Sequence, residues 1–212
     1  IHKATAAAIN NVPLDKVTKE MRYAAKEVNF GVLYGMGSYG LSWRAGISQA
    51  EAKDFIRKYF EAFSGVREYI DRTLEFTKKE GYCETLFGRR RYLPELNAGN
   101  FQLRAAAERM AINHPIQGTA ADLMKMAMIE VSRVIARSEA TKQSHIVQGD
   151  RHASLAMTKA KILLQVHDEL VLEVKKESAE EVAELVKNIM EKVVSLRVPV
   201  KVGISINRSW VK

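Results

Sequence analysis

The chain has 212 residues, 47% of them hydrophobic, enough to bury a sizeable core as one large domain or two smaller ones. Its formal charge of +8 is spread along the sequence and sets up a field that attracts polyanions, nucleic acid foremost. A single cysteine, Cys83, excludes an intramolecular disulfide and reads as structural; with no bilayer-length apolar run and no signal peptide, a soluble cytoplasmic chain without a membrane partner is expected.

Ile1 is not an initiator methionine, and the sequence enters Ala-rich helical territory at once, so a cut piece of a longer protein is expected. A helix over Ala4 to Asn10 and a turn over Asn11 to Asp15, containing Pro13, precede a second helix that begins near Val17. Within it Arg22, Lys26, Phe30 and Tyr34 recur at steps of four. Two cations, an aromatic ring and a phenol therefore line one side of the helix over roughly 18 Å. The like charges repel mildly unless an anion sits against them. A polyphosphate answers that need, with an aromatic platform beyond it for a base or sugar; the plainer alternative is a solvated basic face running into a buried aromatic.

Gly35, Gly37 and Gly40 are expected to end this helix and loosen the chain. Ser48 and Glu51 form a capping box ahead of Phe55, Tyr59 and Phe63, which have the spacing of a buried helix face. Gly65 separates that helix from another over Val66 to Lys79, which Gly81 stops. From Gly81 to Pro94 the sequence is irregular or weakly stranded, and its Arg89, Arg90 and Arg91 suit either a solvated loop or phosphate contacts. Helical sequence resumes from Gln102 to Ile112, breaks at His114-Pro115 and runs again from about Gly118 to Ile135. The segment Arg137 to Thr158 is polar and without a sustained period, so it reads as a long surface insertion in which His145 and His152 are solvated. Ile162 to Val166 and Leu170 to Val174 then flank His167-Asp168-Glu169 as a β-hairpin. Ser178 and Glu181 cap a helix ending near Ser195, and Val198 to Ile206 is a closing strand. There is no internal repeat.

Polar residues belong at a hairpin tip in any case. Here the flanks Ile162-Leu163-Leu164 and Leu170-Val171-Leu172 are apolar, which predicts buried strands holding the tip rigidly. A rigid carboxylate facing a basic surface is a suitable Mg²⁺ ligand for phosphoryl transfer, and Asp168 can be one such group.

Together these segments resemble family A DNA polymerases, the bacterial DNA polymerase I type. The stripe Arg22, Lys26, Phe30, Tyr34 with Gly35 is similar to the family's motif B on the O helix of the fingers, and Gln165-Val166-His167-Asp168-Glu169 to its motif C in the palm. Thr85-Leu86-Phe87-Gly88-Arg89-Arg90-Arg91 and the run Glu108 to Asp122 match further family segments in the expected order. The resemblance implies an α+β fold: a mainly helical fingers subdomain over 1–110 that includes the O helix, and part of an antiparallel-sheet palm over 111–212 that carries the catalytic hairpin. Residues 137–158 would be an atypical insertion in the palm.

The resemblance further implies that Arg22 and Lys26 contact the β and γ phosphates of an incoming dNTP, with Lys26 also serving catalysis. Phe30 would pack on its sugar and base, disfavouring dideoxynucleotides, and Tyr34 would stack at the template position. Arg109, Asn113 and Gln117, again at steps of four, would read acceptors in the primer-template minor groove, and Gly35, Arg89 and His167 would contact DNA. Asp168 would ligate Mg²⁺ and act in catalysis, with Glu169 supporting it. The family's other metal-binding aspartate, in motif A, and its thumb match nothing in these residues. The expected function is therefore template-directed DNA synthesis by two-metal nucleotidyl transfer in replication or repair, with the chain inactive alone. A missing N-terminal part would complete the site, at the nucleoid. The alternatives are a noncatalytic DNA-binding module derived from such an enzyme, and a metal nuclease.

Overall fold

The structure, a computed structural model, describes residues 2–140 and 160–210. The backbone falls into two compact units, Ile1–Gly118 and Thr119–Lys212. In the first, helix α1 (His2–Asn10) leads through a 3₁₀ turn to α2 (Lys19–Leu33), α3 (Ser38–Ala45), α4 (Gln49–Ala62) and α5 (Ser64–Glu80). A small antiparallel pair, β1 (Tyr82–Glu84) and β2 (Arg90–Tyr92), comes next, and α6 (Phe101–Ala140) starts in this unit and ends in the second. The second unit adds the antiparallel hairpin β3 (Ala160–Val166) and β4 (Glu169–Val174) and helix α7 (Ala179–Lys192). The fold is α+β, mainly helical with small antiparallel sheets, as the sequence predicts.

Helix starts and stops follow local chemistry. Thr18 caps α2 by accepting from Met21 N–H at 3.3 Å. The predicted capping box on α4 is present, with Ser48 Oγ accepting from Glu51 N–H and Glu51 returning a bond to Ser48 N–H. Gly81 ends α5 at φ 78°, a conformation open to glycine at no steric cost.

In the first unit, Val28, Val32, Leu41 and Ala52 bind α2, α3 and α4 together, with Phe55 and Tyr59 packed against them. A second cluster, Cys83, Leu93, Leu96, Ala107 and Ala111, seats the β1–β2 pair on α6. Burial raises the Cys83 thiol above its ordinary pKa, which makes it poorly reactive and agrees with a structural role. In the second unit Val131, Ala160, Val182 and Val186 join α6, the hairpin and α7.

Five local expectations are corrected. The glycines after Tyr34 do not loosen the chain: α3 forms there, anchored by fully buried Leu41, with Gly40 inside it. His114-Pro115 does not break α6, because Pro115 is accommodated within one helix. Ser178 precedes α7, yet its side chain makes no capping bond, since a 3₁₀ turn leads into the helix instead. Residues 198–206 form no strand; Val202 N–H donates to the Glu191 carboxylate at 2.9 Å rather than to a ladder. The hairpin strands are not buried on both faces, with Leu163 53% and Leu164 48% exposed, because a two-stranded pair covers only one face with α6 and α7. Of the segment read as an insertion, α6 continues to Ala140 and 141–158 lie outside the described residues.

Candidate functional site

On α2 the four-step stripe is real. Arg22 and Lys26 are exposed, Phe30 is 40% exposed, and Tyr34 is half-buried at the helix end. The Phe30 and Tyr34 rings stack with centroids 6.1 Å apart and planes 17° from parallel, and Lys26 Nζ stands 5.8 Å from the Phe30 centroid. The opposite positions, Ala25, Val28, Asn29 and Val32, are buried, so the hydrophobic face fixes the stripe outward. An open concavity of about 450 Å³ lies along it, lined by Tyr23, Lys26, Phe30, Gly31, Tyr34 and Met36 among others.

The helix ends in a Schellman motif. Met36 N–H donates to Gly31 C=O at 2.7 Å and Gly35 N–H to Val32 C=O at 3.1 Å, with Gly35 at φ 85°. Met36 folds back over Gly31, which closes one side of the concavity.

His2 is a member of this site that sequence reasoning missed. Its ring lies 5.8 Å from the Phe30 centroid, tilted by 41°. Desolvation, then the cationic neighbours Arg22 and Lys26, hold its pKa below the ordinary value. Nothing in the spacing of α2 signals it, because the contact depends on how α1 packs.

Arg109, Asn113 and Gln117 follow one line of α6 within the first unit. Arg109 and Gln117 are exposed, and Asn113 is partly buried with an Oδ1 that has no hydrogen-bond partner among the described residues. Gly35 packs so closely on this helix that a Cβ there would meet Arg109 Cγ at 3.3 Å. The Arg89 guanidinium donates to Gly118 C=O at 3.0 Å, tying the β1–β2 turn to α6. Thr85 supports that turn, its hydroxyl accepting from the backbone N–H groups of Phe87 and Arg89.

His167, Asp168 and Glu169 belong to the second unit. His167 takes φ 53° in the hairpin turn, Gln165 donates to its carbonyl, and Val166 pairs with Glu169 across the strands. Asp168 and Glu169 are exposed. As hard oxygen donors they fit a share of a Mg²⁺ shell. Among the described residues no group of three or more metal-ligating side chains gathers, so they do not make a complete site.

The family model for DNA polymerase family A matches residues 1–212. The chain belongs to this family. It is 48% identical over 210 residues to the thermostable DNA polymerase I of Thermus aquaticus, covering 99% of this family A chain and 23% of that protein. It is 43% identical over 210 residues to DNA polymerase I of Bacillus subtilis, covering 99% of this chain and 22% of that one. Among solved structures it is similar to the POL domain of Pol1 from M. smegmatis, in complex with DNA primer-template and dNTP. That match has a TM-score of 0.79 at 41% identity and covers 94% of this chain and 32% of the other. The family A chain thus spans less than a quarter of the two curated relatives' length.

Proposed function

We propose that this chain supplies the nucleotide-binding helix, the primer-template line and one carboxylate turn of a template-directed DNA polymerase. The observation that carries the reading is the one-sided order Arg22, Lys26, Phe30, Tyr34, with its rings stacked and its cations outward, in a chain of this family. Arg22 and Lys26 hold the triphosphate, and Lys26 neutralises charge that develops on the leaving phosphates. Phe30 packs on the sugar and base. Tyr34 stacks at the template position. Arg109, Asn113 and Gln117 donate to minor-groove acceptors that every correct base pair presents, and Gly35, Arg89 and His167 complete the DNA contacts, Arg89 also by bracing the β1–β2 turn.

Asp168, with Glu169 beside it, would hold Mg²⁺, which supplies electrophilic stabilisation of the oxygens in nucleotidyl transfer. Motif A and the thumb of the family match nothing in this sequence, so on this reading the 212 residues alone do not polymerise and a chain bearing those parts is the partner. On this reading the assembled enzyme works at the bacterial nucleoid. Among the described residues no helix is long and apolar enough to cross a membrane. Binding tests the reading: the chain should bind dATP and a primer-template duplex, and Arg22→Ala with Lys26→Ala should remove the former while leaving the latter. A noncatalytic DNA-binding module would bind the duplex alone.

A further inference from the structure

Two glycines stand inside helices where the backbone does not ask for them. Gly31 lies in α2 and Gly40 in α3, and neither takes a positive φ. Each gives up helix propensity relative to alanine. The space around them supplies the reason. A Cβ on Gly31 would meet Met36 Cε and Sδ, the latter at 3.0 Å, and a Cβ on Gly40 would lie 3.1 Å from Met36 Cγ. The Met36 side chain is thus bedded between two bare stretches of helix.

Both backbone and side chain hold Met36 there. Its N–H donates to Gly31 C=O at 2.7 Å in the turn that ends α2, and its side chain packs on the cluster of Val28, Val32, Leu41 and Ala52. Met36 also walls the α2 concavity, together with Gly31, Phe30 and Tyr34. The wall at the aromatic end of the stripe is therefore an unbranched side chain lying on glycine, not a rigid backbone surface. Its length sets how far a ligand can extend past the two rings. The cationic end is elsewhere: Arg22 and Lys26 precede Gly31 by about 14 and 8 Å along the helix axis.

We infer that Met36 is a specificity-determining residue: packed into the gap left by Gly31 and Gly40, it limits the size of the base that the α2 site accepts and leaves the phosphate end alone. The inference rests on reading the α2 stripe as the nucleotide site, with the base against Phe30. Gly31 and Gly40 act through Met36, by giving its side chain a bed.

The test measures binding of dATP and two enlarged analogues by calorimetry. N6-benzyl-dATP carries its bulk on the base, and the γ-phenyl ester of dATP carries it on the phosphate. The unaltered chain should bind N6-benzyl-dATP roughly ten-fold or more weakly than dATP. Met36→Ala should narrow that gap to about three-fold or less, and should leave the affinity of the γ-phenyl ester relative to dATP where it was. A merely structural effect of the substitution would weaken all of them alike. Gly31→Ala should push the Met36 side chain off its bed into the concavity and weaken dATP binding roughly three- to ten-fold. That loss should largely disappear in a Met36→Ala background, where the added methyl should also raise the melting temperature, as alanine replacing glycine inside a helix does.

An unchanged preference for dATP over N6-benzyl-dATP in Met36→Ala, equal binding of the two by the unaltered chain, or a Gly31→Ala loss that persists without Met36 overturns the inference while dATP still binds. Failure of the unaltered chain to bind dATP instead overturns the site reading, and the inference with it.

Discussion

Gly35 and Arg109 meet where α2 ends against α6: a Cβ on Gly35 would come within 3.3 Å of Arg109 Cγ, and Gly35 sits at φ 85°. The residue that terminates the nucleotide stripe is thus the one that seats the first member of the minor-groove line. Both facts require glycine, since the left-handed backbone strains any side chain and the space is already taken.

Gly35→Ala should therefore destabilise the chain by roughly 1–2 kcal/mol from backbone strain, with crowding of Arg109 in addition. Its primer-template affinity should fall as well. Gly65→Ala is the control, because it lies in α5 with nothing within 4 Å of the added carbon. It should stabilise by about 0.5 kcal/mol through helix propensity. Thermal melts of the two variants check the contrast.

Lys26→Ala should weaken dATP binding roughly ten- to hundred-fold, the range of a lost charge-assisted hydrogen bond. The same titration at higher salt should shrink the difference between the unaltered chain and the variant, since Lys26 is exposed and screened.

Gly118→Ala probes the Arg89 brace. An added carbon would lie 2.6 Å from the Thr85 methyl and 3.2 Å from Arg89 Nη2, so the β1–β2 turn must shift. An overpacking cost of about 1–3 kcal/mol is expected in denaturant unfolding, with weaker duplex binding in proportion to the displacement of Arg89.

Ser48→Ala should cost about 1 kcal/mol at neutral pH by removing the α4 cap. Glu51 has its pKa lowered, first by the Ser48 side chain and then by the Ser48 backbone. A depressed carboxylate pKa means the stabilisation is present above the unfolded-state value and is lost as pH falls through the folded-state value. The destabilisation caused by Ser48→Ala should accordingly shrink below the usual carboxylate range. Melting temperatures of both proteins from neutral to acid pH check the sign.

What could be read in advance was whatever a single element carries. The stripe Arg22 to Tyr34, the Ser48–Glu51 box and the His167-Asp168 turn are set by periodicity and local bonds, and the structure forms each. Helix α3 was hidden because its glycines argue for a turn locally, whereas burial of Leu41 against Val28 and Val32 outweighs that preference. Pro115 stays inside α6 for a similar reason. It removes one helical donor, but Tyr69 on α5 donates its hydroxyl to Ile112 C=O at 2.8 Å and so ties α6 down beside the proline. His2 was illegible because its place in the site lies in a contact between α1 and α2, far apart in sequence, that no spacing encodes.

The most direct test of the central claim is Mg²⁺-dependent primer extension by the 212-residue chain, alone and mixed with a separately expressed segment carrying the family's motif A and thumb. No incorporation alone, template-directed incorporation after mixing, and its loss with Asp168→Asn are expected. Extension by the chain alone, or undiminished extension by the Asp168→Asn mixture, would contradict the account.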